Sequence, residues 1–211
     1  SGHMLTYAFD LFTKIYEEEG YDKPDIAKLI LEKNLYGIEI DQRAASLASF
    51  ALTMKAREYD RRFFRRDNLK PNILCLEKVT FSEEELKAYK KTIGKDLYTQ
   101  ELEETLLMFD LADNVGSLIR PSIATTDYYI SKLGKLNFSG NWELSRTHEK
   151  VLCVLRQMEY LAWKYHCVVA NPPYMGGGNM NPALKDYAKK DYPDSKSDLF
   201  AMFIERNLGY S

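Results

Sequence analysis

The sequence predicts an α/β protein with a partial Rossmann-like, doubly wound sheet and a mainly helical insertion. Two short apolar runs, residues 35–40 and 72–76, have the length and polar flanks of buried strands, and a helical stretch rich in Ala and Leu separates them. A third apolar run, residues 167–170, follows a long region of helical periodicity. Strand, helix, strand is the repeat from which doubly wound sheets are built.

Composition favours a globular domain and argues against several other classes. The chain has 211 residues, 45% of them hydrophobic and 13% aromatic, which is too apolar for a disordered chain. The net charge of -2 means that any DNA contact must come from local basic surface. No apolar run approaches the length of a membrane span. The three cysteines form no CxxC pair, so we predict no metal site and mostly buried, reduced thiols in a cytoplasmic protein.

The first part of the predicted domain, residues 1–79, holds the first two strands and three helices. Helical spacing of apolar residues predicts a helix that ends at Gly20, and a second, short helix after Pro24. A third helix is predicted over residues 43–59, with Asp41 as its N-cap.

The middle of the chain, residues 80–165, is predicted to be the helical insertion, because the helical period dominates there. Ser82 and the glutamates after it have the pattern of a capping box at a helix start. A long helix is predicted to end near His166.

The last part of the domain, residues 166–211, returns to strand character and ends in a helix. The strand is the apolar run at 167–170, and the closing helix is predicted over 197–208. The spacing predicts an apolar side of that helix made by Leu199, Phe200, Phe203 and Ile204.

The strongest chemical signal directly follows the third apolar run. Its residues are Asn171, Pro172, Pro173 and Tyr174. Two consecutive prolines make a stiff turn and remove two backbone donors, so its carbonyls stay free to accept. The Asn171 side-chain oxygen and the Pro172 carbonyl can accept from one amino group, and Tyr174 offers a ring for stacking on a planar base. An ordinary turn after a strand is the alternative interpretation.

The turn resembles the motif D/N/S-P-P-Y/F/W of methyltransferases that use S-adenosyl-L-methionine to methylate amino groups. The resemblance implies that Asn171 and Pro172 hold the target NH2 and that Tyr174 stacks on a base flipped out of the duplex. It also implies catalysis by positioning and electrostatics, without a covalent enzyme intermediate.

Two further segments resemble cofactor motifs of the same methyltransferases. In YGIEID, the acidic residue that accepts hydrogen bonds from the cofactor's ribose corresponds to Glu39, with Ile40 beside it. Gly2 is either the tail of the glycine-rich first motif, which wraps the methionine part of the cofactor, or a residue foreign to the natural chain.

Two weaker candidates complete the predicted cofactor site. Glu77 stands where the third motif touches the cofactor's adenine, and an exposed Glu after a strand is the alternative. Phe200 stands in the fifth motif, where it would wall the cofactor or target pocket, and ordinary core packing is the alternative.

The region after the turn offers candidates for DNA contact. Residues 175–180 are rich in glycine, and we expect a flexible loop that orders when DNA arrives. Basic residues interleaved with tyrosines follow, and a solvated surface loop is the alternative interpretation. The predicted DNA-binding residues are Lys185, Lys189 and Lys190.

Four segments resemble one family more closely: HMLTYAFDLF, LILEKNLYGIEID, NPPYMGG and YPDSKSDLFAMFIER. They are similar to PglX, the adenine methyltransferase family of bacterial BREX phage-exclusion systems, over residues 1–78 and 167–208. The resemblance implies methylation of adenine N6 in double-stranded DNA, in phage defence and alongside other defence subunits.

Members of that family are several times longer, so we expect an internal fragment that is weakly active or inert by itself. LYGIEI and CVVA lack the strand that would lie between them, so the fragment is expected to pair its strands differently or to form a homodimer. Two alternatives stay open: a methyltransferase acting on protein glutamine or RNA guanine, and a non-catalytic piece that binds DNA or a partner.

Overall fold

The computed structural model describes residues 2–65, 69–121 and 123–210. The chain divides into two compact units, Ser1–Leu76 and Glu77–Ser211. The first unit contains helices α1 (His3–Glu18), α2 (Lys23–Leu29) and α3 (Gln42–Tyr59), and strands β1 (Tyr36–Glu39) and β2 (Asn72–Cys75). A π-helical turn at Ile30–Asn34 extends α2, and a 3-10 turn at Phe63–Arg65 follows α3.

The sheet of the first unit is a parallel pair. Tyr36 pairs with Asn72 and Glu39 with Cys75, so the two strands run in register for their whole length. Helix α3 connects them, and its N-cap is Asp41, whose Oδ1 accepts from the Ala44 N–H at 2.7 Å. The two strands predicted in this unit, the third helix and its cap are therefore confirmed, and LYGIEI pairs with the strand at 72–75.

The core of the first unit forms because α1, α2 and α3 bury their apolar faces against each other and the sheet. Phe9, Ile26 and Leu52 are fully buried at its centre. A Cβ on Gly37 would lie 2.6 Å from Ile73 Cδ1, so a larger residue would require the end of the Ile73 side chain to shift.

The second unit is helical. Its helices are α4 (Glu83–Ile93), α5 (Gln100–Met108), α6 (Ala112–Val115), α7 (Ile123–Leu133), α8 (Trp142–Ala162), α9 (Pro182–Asp191) and α10 (Leu199–Leu208). Helix α8 packs against α4 and α7, and buries Val151, Val154 and Met158. The predicted helical character of the middle of the chain is confirmed.

The ends of two helices in this unit test the sequence prediction in detail. The capping box at Ser82 is present, because its side chain accepts from the Glu85 N–H and the Glu85 side chain accepts from the Ser82 N–H. The long helix ends at Ala162 and not near His166, because the backbone turns extended at Trp163.

The predicted strand at residues 167–170 is wrong. The segment is irregular, and Val169 is 67% exposed. A strand needs a neighbour that completes its backbone hydrogen bonds, and none pairs with this segment among the residues that the structure describes. Asn171 therefore does not lie at a strand's carboxyl end.

The structure bears on two further points, membrane-spanning helices and the burial of the cysteines. Within the described ranges no helix is long and apolar enough to cross a membrane. The expected burial of the cysteines is wrong, because Cys167 is exposed and Cys75 and Cys153 are only half-buried.

Candidate functional site

The predicted catalytic turn lies at the surface of the second unit. Asn171, Pro173 and Tyr174 are exposed, whereas Pro172 is buried. Tyr174 is 85% exposed, yet one face of its ring stacks on Phe200 with centroids 5.8 Å apart and planes 21° apart. The structure thus brings together two side chains that the sequence singled out separately.

The backbone after the turn explains this pairing. The Leu199 N–H donates to the Met175 carbonyl at 2.9 Å, and the Gly177 N–H donates to the Ser197 carbonyl at 2.7 Å. Residues 175–177 and 197–199 therefore run antiparallel. This short contact holds Tyr174 beside the first turn of α10.

The glycine-rich stretch at residues 175–180, expected to be a flexible loop, makes several backbone hydrogen bonds. Besides the contact with residues 197–199, the Asn179 N–H donates to the Gly176 carbonyl at 3.0 Å, and Met180 is buried. A Cβ on Gly177 would lie 3.3 Å from the Ser197 carbonyl oxygen, which favours glycine at this close approach.

The orientation of α10 differs from the prediction. Leu199, Met202 and Arg206 face inward, whereas Phe200 and Ile204 are exposed. The predicted apolar side is therefore wrong at the two exposed positions. The spacing of Phe200 and Ile204 places them on one helix face. The buried face includes Arg206, which a search for periodic hydrophobic residues does not recognise.

Arg206 anchors α10 and was missed by the sequence analysis. Its Nε donates to the Ser117 carbonyl at 2.9 Å and its Nη2 to the Leu161 carbonyl at 2.6 Å. The guanidinium lies 3.6 Å from the Tyr210 ring centroid. Burial is the largest influence on Arg206 and lowers its pKa. Arginine is rarely buried, so no local signal marked this residue.

A second arginine ties α10 to its surroundings. Arg120 donates from Nη2 to Glu205 at 2.8 Å, and its guanidinium lies 3.9 Å from the Tyr192 ring centroid. Glu205 also accepts from the Ser195 hydroxyl at 2.5 Å. The Ser195 hydrogen bond, followed by the Arg120 contact, lowers the pKa of Glu205, so the carboxylate stays charged.

The lysines after the turn lie on α9. Lys189 and Lys190 are exposed, whereas Lys185 is half-buried and donates to the Gly178 carbonyl at 3.4 Å. The tyrosines between them do not share this surface. Tyr187 and Tyr192 are buried and both donate to the Leu118 carbonyl, so they are not available to stack on bases.

The first unit holds the predicted ribose-binding residue. Glu39 ends β1, and its Oε1 accepts from the Ile40 N–H at 2.9 Å and the Asp41 N–H at 3.3 Å. Ile40 is exposed beside it. A carboxylate next to an exposed apolar side chain, at the carboxyl end of a parallel strand, suits the ribose hydroxyls and the flat base of a nucleoside. The chemistry of these residues therefore suits a ligand that contains a nucleoside.

Gly2 and Glu77 are two of the other three cofactor candidates, and Phe200 is described above. Gly2 caps α1 with φ of 76°, and a Cβ there would lie 2.8 Å from the Ala48 Cα, so glycine allows α1 to approach α3. Glu77 is exposed in the second unit, and its backbone N–H donates to Gln157 Oε1 at 2.8 Å.

The chain matches the Eco57I restriction-modification methylase family over residues 33–210. It belongs to this family of methylases. It is 39% identical over 229 aligned residues to the adenine-specific methyltransferase BrxX of Escherichia coli O9:H4 (strain HS). That alignment covers 97% of this chain and 19% of that protein. It is 36% identical over 213 residues to the adenine-specific methyltransferase PglX of Lacticaseibacillus casei (strain Zhang), covering 98% of this chain and 17% of that protein.

These relatives confirm the resemblance to the PglX adenine methyltransferases. The chain spans about a fifth of the length of the curated relatives that it matches.

Proposed function

We propose that this chain carries the catalytic turn and part of the cofactor site of an adenine-N6 DNA methyltransferase that uses S-adenosyl-L-methionine and acts in bacterial phage defence. The observation that carries the proposal is the exposed turn at residues 171–174, held beside α10 in a chain of a methylase family. The names of the two relatives, both adenine-specific methyltransferases, support adenine as the target.

The chemistry of the turn follows from two acceptors and one ring. The Asn171 Oδ1 and the Pro172 carbonyl would each accept one hydrogen of the adenine amino group, which draws its lone pair toward the methyl donor. Tyr174 would stack on the flipped adenine and fix its plane. Because Pro172 is buried and residues 175–177 are bonded to α10, these groups are preorganised before the base arrives.

The cofactor would contact the first unit through Glu39 and Ile40. The Glu39 carboxylate would accept from the ribose hydroxyls, and the exposed Ile40 side chain would pack on the adenine ring of the cofactor. When bound, S-adenosyl-L-methionine supplies an electrophilic methyl group. Gly2 is proposed as a further contact of the same cofactor in the first unit. Glu77 and Phe200 lie in the second unit, and their cofactor contacts stay predictions.

The proposed fold of the whole methyltransferase is a larger Rossmann-like sheet. The β1–α3–β2 unit supports this proposal, because it is the parallel strand–helix–strand repeat of such sheets. In this proposal residues 1–79 and 166–211 belong to the methyltransferase domain and 80–165 to a helical insertion.

The proposed substrate is double-stranded DNA in the cytoplasm. The exposed lysines of α9, with Lys185, are the proposed phosphate contacts, since a net charge of -2 leaves no general attraction to DNA. Other phage-defence subunits are proposed to act with the complete protein.

Acceptor choice tests the proposal. The full chain, in excess over its acceptor, is incubated with methyl-labelled cofactor and either an adenine-containing DNA duplex, a glutamine peptide or a guanine-containing RNA. We expect slow labelling of DNA alone, recovered as N6-methyladenine. Labelling of glutamine or guanine would support another amino-methyltransferase. DNA binding without any labelling would support a non-catalytic binding piece.

A further inference from the structure

The ring of Phe200 backs the exposed ring of Tyr174. Their centroids lie 5.8 Å apart and their planes differ by 21°, which is the offset stacked arrangement that aromatic pairs prefer. Tyr174 is 85% exposed, so this contact leaves most of its ring open to solvent. Phe200 is a large apolar residue at the start of α10, and it is exposed as well. Two exposed aromatic side chains therefore meet beside the proposed catalytic turn.

Two hydrogen bonds fix the backbone around Phe200. The Phe200 N–H donates to Asp198 Oδ1 at 2.8 Å, which caps the start of α10. The neighbouring Leu199 N–H donates to the carbonyl of Met175, the residue after Tyr174. Phe200 thus belongs to a capped helix end, whereas Tyr174 lies in an irregular segment. The backbone of Phe200 is the better fixed of the two, so its ring is placed to hold Tyr174.

We propose that Phe200 is a positioning residue, which holds the Tyr174 ring in one orientation so that the target base stacks on the opposite face. This inference rests on the proposed function of the turn. An exposed side chain without support changes rotamer within picoseconds to nanoseconds. Immobilising such a side chain on binding costs the equivalent of about 2- to 12-fold in affinity. A ring that Phe200 already orients avoids part of this loss, and the base, Tyr174 and Phe200 form three stacked layers.

Positioning by a stacked ring differs from the cofactor contact that the sequence predicted for Phe200. A wall of a cofactor pocket needs an apolar side chain, which leucine also supplies. A stack needs a flat ring, because both faces of the pair must be planar. Phe200→Tyr keeps the ring, Phe200→Leu keeps only the apolar bulk, and Phe200→Ala removes both. The series therefore separates the two roles.

NMR of the full chain with isotope-labelled tyrosine rings tests the stack without DNA or cofactor. The Tyr174 signal is assigned by its loss in Tyr174→Leu. Because the ring current of Phe200 shifts this signal, we expect it to move toward the value of a free tyrosine in Phe200→Ala and Phe200→Leu, but not in Phe200→Tyr. Leu208→Ala removes an exposed apolar side chain at the far end of α10 and is the control, with no expected change.

Titration with a short single-stranded oligodeoxyadenylate tests the consequence for the base. We expect the oligonucleotide to perturb the Tyr174 signal, with affinity kept in Phe200→Tyr and reduced about 3- to 10-fold in Phe200→Leu and Phe200→Ala. A Tyr174 signal that Phe200→Ala leaves unchanged, or equal affinities across the series, would overturn the inference. A signal that depends on Phe200 but not on the oligonucleotide would instead contradict base stacking on Tyr174, which the proposed function requires.

Discussion

The Glu39 carboxylate stabilises the backbone of its own turn before any ligand is present. Because Oε1 accepts from two successive N–H groups, the side chain is held at the carboxyl end of β1. A carboxylate that is already fixed loses little conformational entropy when it accepts from a ribose. Because Glu39 accepts hydrogen bonds within the turn, a test of its role in cofactor binding needs a substitution that keeps a side-chain oxygen.

Glu39→Gln keeps an oxygen for the two N–H groups and removes the charge. We expect binding of S-adenosylmethionine, measured by calorimetry, to weaken about tenfold or more, since hydrogen bonds to a charged group are worth about 1.5–3 kcal/mol. Glu32→Gln, an exposed glutamate of the same unit, is the control and should have no effect. Equal affinities for the two variants would remove Glu39 from the cofactor site.

Residues whose role is local were predictable, and residues whose role depends on distant partners were not. Asp41 and Ser82 cap helices through bonds to residues three positions away, and the sequence indicated both. Tyr187 was expected at the surface because it lies among lysines. It is buried because Leu118, far away in sequence, offers a carbonyl to its hydroxyl. Arg206 escaped prediction for the same reason.

Helix α10 shows how one element positions the site. Its start is bonded to residues 175–177, and its far end is held by buried Arg206. The segment at 167–170 shows the opposite case, in which strand-like composition does not produce a strand because no neighbour completes its hydrogen bonds. Helices complete their bonds internally, which is why they were predicted better than this strand.

Arg206→Met should destabilise the protein by about 2–3 kcal/mol, because it leaves the buried Leu161 and Ser117 carbonyls short of a donor. Urea unfolding followed by circular dichroism measures the loss. Arg156→Met on the exposed side of α8 is the matched control, with little expected change. Equal midpoints for the two variants would contradict the anchoring role.

The link between α4 and α8 is expected to depend on pH. Glu85 accepts from Lys150 Nζ at 2.7 Å and from the Ser82 N–H at 2.8 Å. Burial raises the pKa of Glu85, but these two donors outweigh it, so its pKa lies below the usual 4.5. A lowered folded-state pKa means that the carboxylate stabilises the fold above pH 4.5 and that this stabilisation is lost as pH falls through the lowered pKa.

Glu85→Gln should therefore lower the free energy of unfolding at neutral pH, and its difference from the unmodified chain should shrink as the pH falls below 4.5. Urea titrations at several pH values measure this difference. Glu149→Gln, exposed on α8, provides the comparison. A difference that stays constant down to strongly acidic pH would rule out the charged link.

At the scale of the whole molecule, the net charge restricts how the proposed DNA substrate would be bound. The net charge is -2, so attraction to phosphates must come from clusters such as the α9 lysines. The chain also spans about a fifth of its relatives, so contacts from other parts of a longer protein would add to these. Family membership was predictable from the motifs. The arrangement of the sheet was less predictable, because whether a segment such as 167–170 forms a strand depends on a pairing strand elsewhere in the chain.

Replacing both Lys189 and Lys190 by Ala should weaken DNA binding and reduce the slope of log affinity against log salt by about 2, since each phosphate contact contributes about 0.9. Fluorescence anisotropy with a labelled duplex measures both quantities. The paired control is Lys91→Ala with Lys95→Ala, two exposed lysines of the same unit. An unchanged slope would exclude the α9 lysines as phosphate contacts.

The most direct test of the account is methyl transfer by the Asn171→Ala variant. The chain, in excess over an adenine-containing duplex and with saturating S-adenosylmethionine, is followed by mass spectrometry of N6-methyladenine. We predict slow methylation by the unmodified chain, a loss of about 100-fold or more in Asn171→Ala, and little change in Asn179→Ala from the same exposed loop. Methylation by Asn171→Ala at the rate of the unmodified chain would contradict the account.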